Sequence, residues 1–330
     1  MPSVSVLVPA YQAQGFISET LNSLSKQVFR DFQVLISIDK SDDDTKKIAK
    51  NWSQNNKHIP TRIFCQTKSL GWVMNMNFLL EKCKTKYFMV MPHDDFLDKT
   101  YLQKMAQCLK DNPQACTAFS DIICFKSKGL LKSRLVRKVY EKIEPPSVIV
   151  TEDSIRGNRF ERILEFLINH YATLPLAGLV NREMISDLLL IPENHFQGSL
   201  GSASIFVLQM ALKGELIRVP EVLYHKRLHG DNVTSHPWMI EDKTKAWMEH
   251  CIDCLKIIFR QEFNQEEFVR LIEASKSRLD RLVSRDCAKS LVNSNKKERA
   301  LFLETFEKKI VALGEAESKS SLQFSQRKIA

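Results

Sequence analysis

Glycine and proline are scarce in this 330-residue chain, at 10 and 11 residues. That excludes collagen-like, linker-rich and low-complexity architectures. No Lys or Arg precedes Lys26, and the opening apolar run from Val4 to Ala10 is short and β-branched. A secretory leader is therefore not expected. No stretch approaches the roughly 18 apolar residues of a spanning helix. The eight cysteines (65, 83, 108, 116, 124, 251, 254 and 287) form no dense spacing pattern and mostly lie in apolar segments. They read as reduced thiols of a cytoplasmic protein rather than as a disulfide framework. Cys251 and Cys254 make a C-x-x-C, but within a helical pattern and with no second pair nearby, so a metal or redox role is disfavoured.

What remains is globular material, 44% hydrophobic and 26% charged. Length predicts one large domain or two of ordinary size. Lys and Arg total 48 against 39 Asp and Glu, a net charge of +9. Such a surface suits an anionic partner, or is only a cationic bias that aids solubility. No aromatic interleaving or known module supports nucleic acid as that partner.

The first hundred residues alternate strand and helix. Strands are expected at Val4–Val8 (closed by Pro9), Phe32–Ile38, Thr61–Gln66 and Tyr87–Met91, with helices from Phe16 to Val28, Thr45 to Gln54 and Gly71 to Leu80. Their order implies a mostly parallel sheet with helices on both faces. Ligands then sit beyond the carboxyl ends of the strands, at Pro9–Tyr11, Asp39–Asp44 and His93–Asp95. Further on, a helix (Tyr101–Leu109), a strand (Cys116–Phe125), a helix (Arg162–Asn169), a strand (Pro175–Val180) and a helix from Arg182 are expected. A buried helix (Ser202–Leu212) and strands at Leu216–Val219 and Val222–Tyr224 follow. The remainder reads as charged helices, Lys245–Phe259, Gln265–Leu282 and Lys296–Leu313, with a frayed end from Glu315.

Four strand-end segments agree in order and spacing with one family. Pro2 to Tyr11 (PSVSVLVPAY), Ile38 to Thr45 (IDKSDDDT), Gly71 to Asn77 (GWVMNMN) and Pro92 to Asp98 (PHDDFLD) together resemble a bacterial-type family-2 glycosyltransferase of the GT-A fold, a Rossmann-like α/β architecture. The resemblance covers residues 3–234 or so. It implies a GT-A domain over 1–235, with a nucleotide-sugar-binding half (1–98) and an acceptor half (99–235). Residues 236–330 then form a helical C-terminal extension.

By that resemblance Asp39 accepts a hydrogen bond from the donor base; a carboxylate accepts from an imide N–H but cannot donate. Asp43 matches the second acidic position, whereas Asp42 and Asp44 read as helix-capping acids. Pro9, Ala10 and Tyr11 resemble the loop against the base, where Tyr11 either stacks or merely covers the sheet end. Gly71 allows close backbone approach, and Asn77 holds the loop or the sugar. His93-Asp94-Asp95 resembles the family's metal motif: Asp95 is assigned to Mn²⁺ or Mg²⁺ and Asp94 to ribose or sugar hydroxyls. Pro92 stands where the longer motif has its first acid. Tyr224 to His229 (YHKRLH) resembles the family's Y-x-x-R-x-H segment. His229 then completes the metal sphere, and Lys226 or Arg227 neutralises the leaving diphosphate.

One departure is plain. Where the family carries its catalytic carboxylate this chain has Ser202-Ala203-Ser204, and no carboxylate lies between Glu193 and Glu215. Glu193 and His195 are the substitute candidates for general base. The expectation is an inverting, metal-assisted hexosyltransferase-type enzyme that moves a sugar from a UDP- or other NDP-sugar to a hydroxyl of a glycan or lipid-linked acceptor, as in polysaccharide biosynthesis. A degenerate transferase acting as a binding or scaffold subunit is the rival. A nucleotidyltransferase is disfavoured because no Gly-rich, basic phosphate loop follows the first strand. The basic stretch from Lys126 to Lys138 suits peripheral contact with an anionic membrane, or is a solvated loop. The helical tail suits a homo-oligomer.

Overall fold

The computed structural model describes residues 2–126, 147–169, 174–186, 199–229, 240–287, 303–310 and 312–313. Its architecture is mixed α/β followed by a helical region. The strands are β1 (Val4–Ala10), β2 (Phe32–Ile38), β3 (Thr61–Cys65), β4 (Tyr87–Val90), β5 (Phe96–Leu97), β6 (Ala115–Lys126), β7 (Ser147–Val150), β8 (Leu179–Asn181) and β9 (Glu215–Leu228). The helices are α1 (Ile17–Ser25), α2 (Thr45–Asn55), α3 (Gly71–Lys82), α4 (Tyr101–Asp111), α5 (Arg159–Asn169), α6 (Ser199–Lys213), α7 (Ile240–Phe259) and α8 (Gln265–Cys287).

All seven residues of β1 are buried, because the strand runs between β2 and β4 and α3 packs on it. Each such Val or Leu contributes roughly 1.5–3 kcal/mol of burial. The strand does not stop at Pro9 as expected; it runs to Ala10. β4 ends opposite Leu7, so the side of β1 that the missing Pro9 N–H would face has no ladder to serve. Helices α1, α2 and α4 bury Ile17, Leu21 and Leu24, then Ala49 and Trp52, then Leu102, Met105 and Leu109. These are the spacings of one helical face.

The sheet order is β3-β2-β1-β4-β8-β6-β9-β5, with β7 paired to β6. The first four strands are parallel, and their C-terminal ends share one edge. β8 then enters antiparallel between β4 and β6, while β6 and β9 pair in parallel along their lengths. The second half is thus mixed rather than parallel. The expected strand Pro175–Val180 is a 3-10 turn (Leu174–Ala177) leading into the three residues of β8. The expected helix at Arg182 is a single 3-10 turn, Arg182–Ile185, within the described residues. The two short strands expected around Pro220 are one strand, β9. Its register against β6 shifts between Ser120 and Asp121, leaving Pro220 and Glu221 outside the ladder. Buried Asp121 anchors this irregular stretch by accepting from Arg218 Nε at 2.7 Å and Nη2 at 2.9 Å.

The chain divides into two compact units, 1–159 with 171–236, and 160–170 with 237–330. Helix α5 therefore groups mainly with the second unit. That unit has its own core of Met248, Cys251, Leu255, Leu279, Phe306 and Ile310. Arg278 and Arg281 donate to the carbonyls of Phe166, Leu167 and Ile168 at 2.9–3.0 Å, so two cations meet the carbonyl end of α5. Cys251 and Cys254 are buried in this unit, and burial pushes the Cys251 thiol up to about 12 and Cys254 higher still. Neither has the exposed, low-pKa character of a reactive thiol. Among the described residues no helix is long and apolar enough to cross a membrane.

Candidate active site

The carboxyl ends of β1 and β2 open onto a rim built by two loops. Asp39, 4% exposed, follows β2 and accepts from the backbone N–H of Lys40 (2.8 Å), Leu70 (2.8 Å) and Gly71 (2.9 Å). It thereby holds the first turn of α3 against the sheet. Gly71 has φ +73°, a conformation natural only to glycine, and a Cβ built there meets nothing within 4 Å. The α3 entrance is therefore open beside Asp39. Asn75, buried on α3, donates to the Ser37 carbonyl at 3.1 Å and tightens the same junction. Asn77 is half-buried on α3.

The loop after β1 is stapled to the start of α2. Gln12 N donates to Ser41 Oγ (2.9 Å), Ala13 N to Thr45 Oγ1 (2.7 Å) and Gln14 N to Asp43 Oδ2 (3.0 Å); Asp44 N returns to Gln14 Oε1 (3.2 Å). Asp43 also accepts from Thr45 N at 3.1 Å, so it supplies the helix cap expected of Asp42 and Asp44. Burial opposes ionisation of Asp43, but these hydrogen bonds hold its carboxyl below the usual range. Ser41 and Thr45 were not anticipated, since hydroxyls beside a helix start are ordinary. Ala10 is buried, and Tyr11 stands 49% exposed on the rim.

Beyond β4, the two carboxylates of His93-Asp94-Asp95 take opposite directions. Asp94 Oδ2 lies 2.9 Å from His229 Nε2, and both side chains keep a narrow exposed edge, 13% and 9%. Burial works against the Asp94 charge, yet the His229 hydrogen bond and the His93 and His229 charges keep its pKa low. Asp95 turns inward. Its Oδ2 accepts from the Tyr224 hydroxyl at 2.7 Å and its Oδ1 from Arg227 N at 2.9 Å. Burial, then the neighbouring Asp94 charge, pushes Asp95 up to about 7. His93 Nδ1 meets the Pro9 carbonyl at 3.2 Å, and its own carbonyl accepts from Thr20 at 2.8 Å, fixing the loop between β1 and α1.

Three expectations change accordingly. Asp95 turns away from His229, its oxygens accepting from Tyr224 and the Arg227 amide, and Asp94 is the carboxylate that faces His229. Arg227 does not project toward a diphosphate. Its guanidinium is paired with Glu19, donates from Nε to the Asp94 carbonyl at 3.0 Å and lies over the rings of Phe125 (4.9 Å) and Phe16 (5.4 Å). The strand expected to end at Tyr224 runs on to Leu228 in β9, where Phe96 and Leu97 of β5 pair with His225 and Tyr224. Lys226 is half-buried, close enough for its charge to act on Asp95. Glu193, His195, residues 127–138 and the tail from 315 lie outside the described residues.

A model of one protein family, described as glycosyl transferase family 2, matches residues 5–178. The chain belongs to glycosyl transferase family 2. It is similar to an uncharacterized glycosyltransferase of Haemophilus influenzae, 25% identical over 236 residues, which cover 71% of this chain and 68% of that protein. It also resembles the poly(ribitol-phosphate) β-N-acetylglucosaminyltransferase TarS of Staphylococcus aureus, 26% identical over 147 residues, 44% of this chain and 24% of TarS. The crystal structure of TarS 1–349 with UDP-GlcNAc superposes with a TM-score of 0.61 at 16% identity, over 98% of this chain and 92% of that one. A Pyrobaculum calidifontis mannosyltransferase with GDP-Man and Mn²⁺ gives 0.54 at 16%, over 97% and 87%. The fold is GT-A, and the chain is a glycosyltransferase.

For a family-2 glycosyltransferase the donor set at Asp94 and His229 is the relevant one. A carboxylate oxygen and an imidazole nitrogen facing each other across 2.9 Å fit a divalent cation taking the place of their hydrogen bond. The described residues contain no third His, Cys, Asp or Glu clustered with them. The remaining positions would fall to donor phosphates and water, the habit of Mg²⁺ and Mn²⁺. His229 lies beyond the matched residues 5–178, yet the fold carries it to the same edge as Asp94.

Proposed function

We propose that this glycosyltransferase is a metal-assisted inverting enzyme that takes a nucleotide-sugar donor and transfers its sugar to a hydroxyl of a glycan or lipid-linked acceptor. The Asp94–His229 pair, at the edge that also presents Asp39, is the observation that carries this reading. Asp39 offers its remaining acceptor direction to an imide N–H of the base, and Tyr11 offers an exposed ring for stacking. Asp94 and His229 would hold Mn²⁺ or Mg²⁺, which when bound stabilises the negative charge of the departing diphosphate. Lys226 adds a positive charge on the same side. The acceptor hydroxyl attacks the anomeric carbon opposite the nucleotide and loses its proton to a general base, for which Glu193 and His195 remain the candidates. Relatives named for UDP-GlcNAc and GDP-Man complexes support a nucleotide-sugar donor without choosing the base.

Helix α6 has no carboxylate in Ser199–Lys213, which favours a second reading: a transferase that binds donor but turns it over poorly. Isothermal titration with UDP- and GDP-sugars, with and without Mn²⁺, separates the cases. Metal-dependent binding that is lost in Asp94→Ala supports the site, and failure to bind any nucleotide sugar refutes it. Donor hydrolysis in the same samples distinguishes the active enzyme from the binder. Full turnover in both Glu193→Gln and His195→Ala would discard both base candidates.

A further inference from the structure

Asp94 and His229 stand 135 positions apart in sequence, one on a loop and the other just past a strand end. We propose that Asp95, Tyr224, Arg227 and Glu19 form a clasp that sets the distance and angle between these two side chains, acting as positioning residues for the cation; this rests on the Asp94–His229 reading above.

The clasp closes from both sides. Asp95 ties the loop to β9 twice, through the Tyr224 hydroxyl and the Arg227 amide. Arg227 then reaches back, its Nε donating to the carbonyl of Asp94 itself, so the peptide carrying the ligand is held from the strand that carries His229. The same guanidinium pairs with Glu19 in the first turn of α1. Phe16, just before that turn, stacks on the His229 ring at 4.6 Å and 24°. One turn of α1 therefore fixes the imidazole plane by a ring contact and the carboxylate's peptide through an ion pair. Arg227 acting directly on the diphosphate fits poorly, because its charge is met by Glu19 and its side chain is only 9% exposed. Outer partners that orient metal-binding side chains typically govern metal affinity by 10- to 100-fold.

The test measures Mn²⁺ affinity of the full chain in the presence of UDP and of GDP, from loss of the free Mn²⁺ EPR signal. Glu19→Ala and Tyr224→Phe are expected to weaken Mn²⁺ binding about 10- to 100-fold, with metal-free nucleotide affinity unchanged. Glu19 is largely exposed, so Glu19→Ala should melt with the wild type, and Glu19→Gln, which keeps an acceptor, should recover part of the affinity. A merely structural role would lower the melting temperature without moving Mn²⁺ affinity. Wild-type Mn²⁺ affinity in both Glu19→Ala and Tyr224→Phe, alongside loss in Asp94→Ala, overturns the clasp alone. Absence of Mn²⁺ uptake by the wild type, or full uptake by Asp94→Ala, removes the site itself and the clasp with it.

Discussion

Asp39 accepts three backbone N–H groups and still has a lone-pair direction left, since a carboxylate offers about four. It both builds the α3 entrance and faces the site. Asp39→Asn puts an amide NH₂ against donors on one side and removes an acceptor for the base. Nucleotide affinity should fall at least ~10-fold, about 1.4 kcal/mol, by titration calorimetry. The position of Asp39 was readable from sequence, because a polar residue directly after a buried strand has few other places to point. The division between Asp94 and Asp95 was not. Adjacent carboxylates look alike until it is known that Tyr224, 129 positions away, donates to one of them. The expectation assigned the metal to Asp95, whereas Asp94 is the carboxylate facing His229, and no local pattern announced that Glu19, an ordinary first-turn acid in the sequence, pairs with Arg227.

At the scale of elements, the β1–α1 loop and the start of α2 act as one unit through Ser41, Asp43, Thr45 and Gln14. Asp43→Ala removes an N-terminal cap and a loop tether together, at a cost of about 1–2 kcal/mol. Hydrogen exchange checks this. The Gln14 and Thr45 amides, which donate to Asp43, should exchange faster, while β1 itself stays protected. The strands and helices up to β4 were legible because continuous β-branched runs alternate with amphipathic segments. β5, two residues long, carries no periodic signal, and its pairing with β9 depends on sequence far away. β9 was read as two pieces because Pro220 usually ends a strand. Two residues outside the ladder absorb that proline, and no local pattern announces such an irregularity.

For the whole molecule, a buried histidine makes the second unit sensitive to acid. His250 is buried in the second unit beside Cys254, and burial, with the Arg278 charge adding to it, pushes its pKa down to about 3. The unfolded chain takes that proton near 6.5. Between those values the unfolded state binds more protons, so stability is present above pH 6.5 and is lost progressively as pH falls toward 3. Calorimetric melting from pH 7 to 4 should show this slope, and His250→Leu should flatten it. The family model stops at residue 178, and the helices of the second unit were legible instead from alternating charge and the absence of Gly and Pro. Apart from Lys226, the proposed donor site is lined by carboxylates, Asp39, Asp94 and Asp95, so the chain's net charge of +9 does not reside there.

The three residues of β8 have a consequence for biosynthesis. β4 exposes its outer edge as soon as residues 1–90 have paired, and the strand that covers it emerges only at Leu179–Asn181. At about 5–20 residues per second, that edge waits on the order of 5–20 s on the ribosome. A nascent chain whose first four strands have already paired would present Tyr87–Val90 as a template for another strand throughout this interval. Slower translation across residues 91–181 is therefore expected to lower soluble yield.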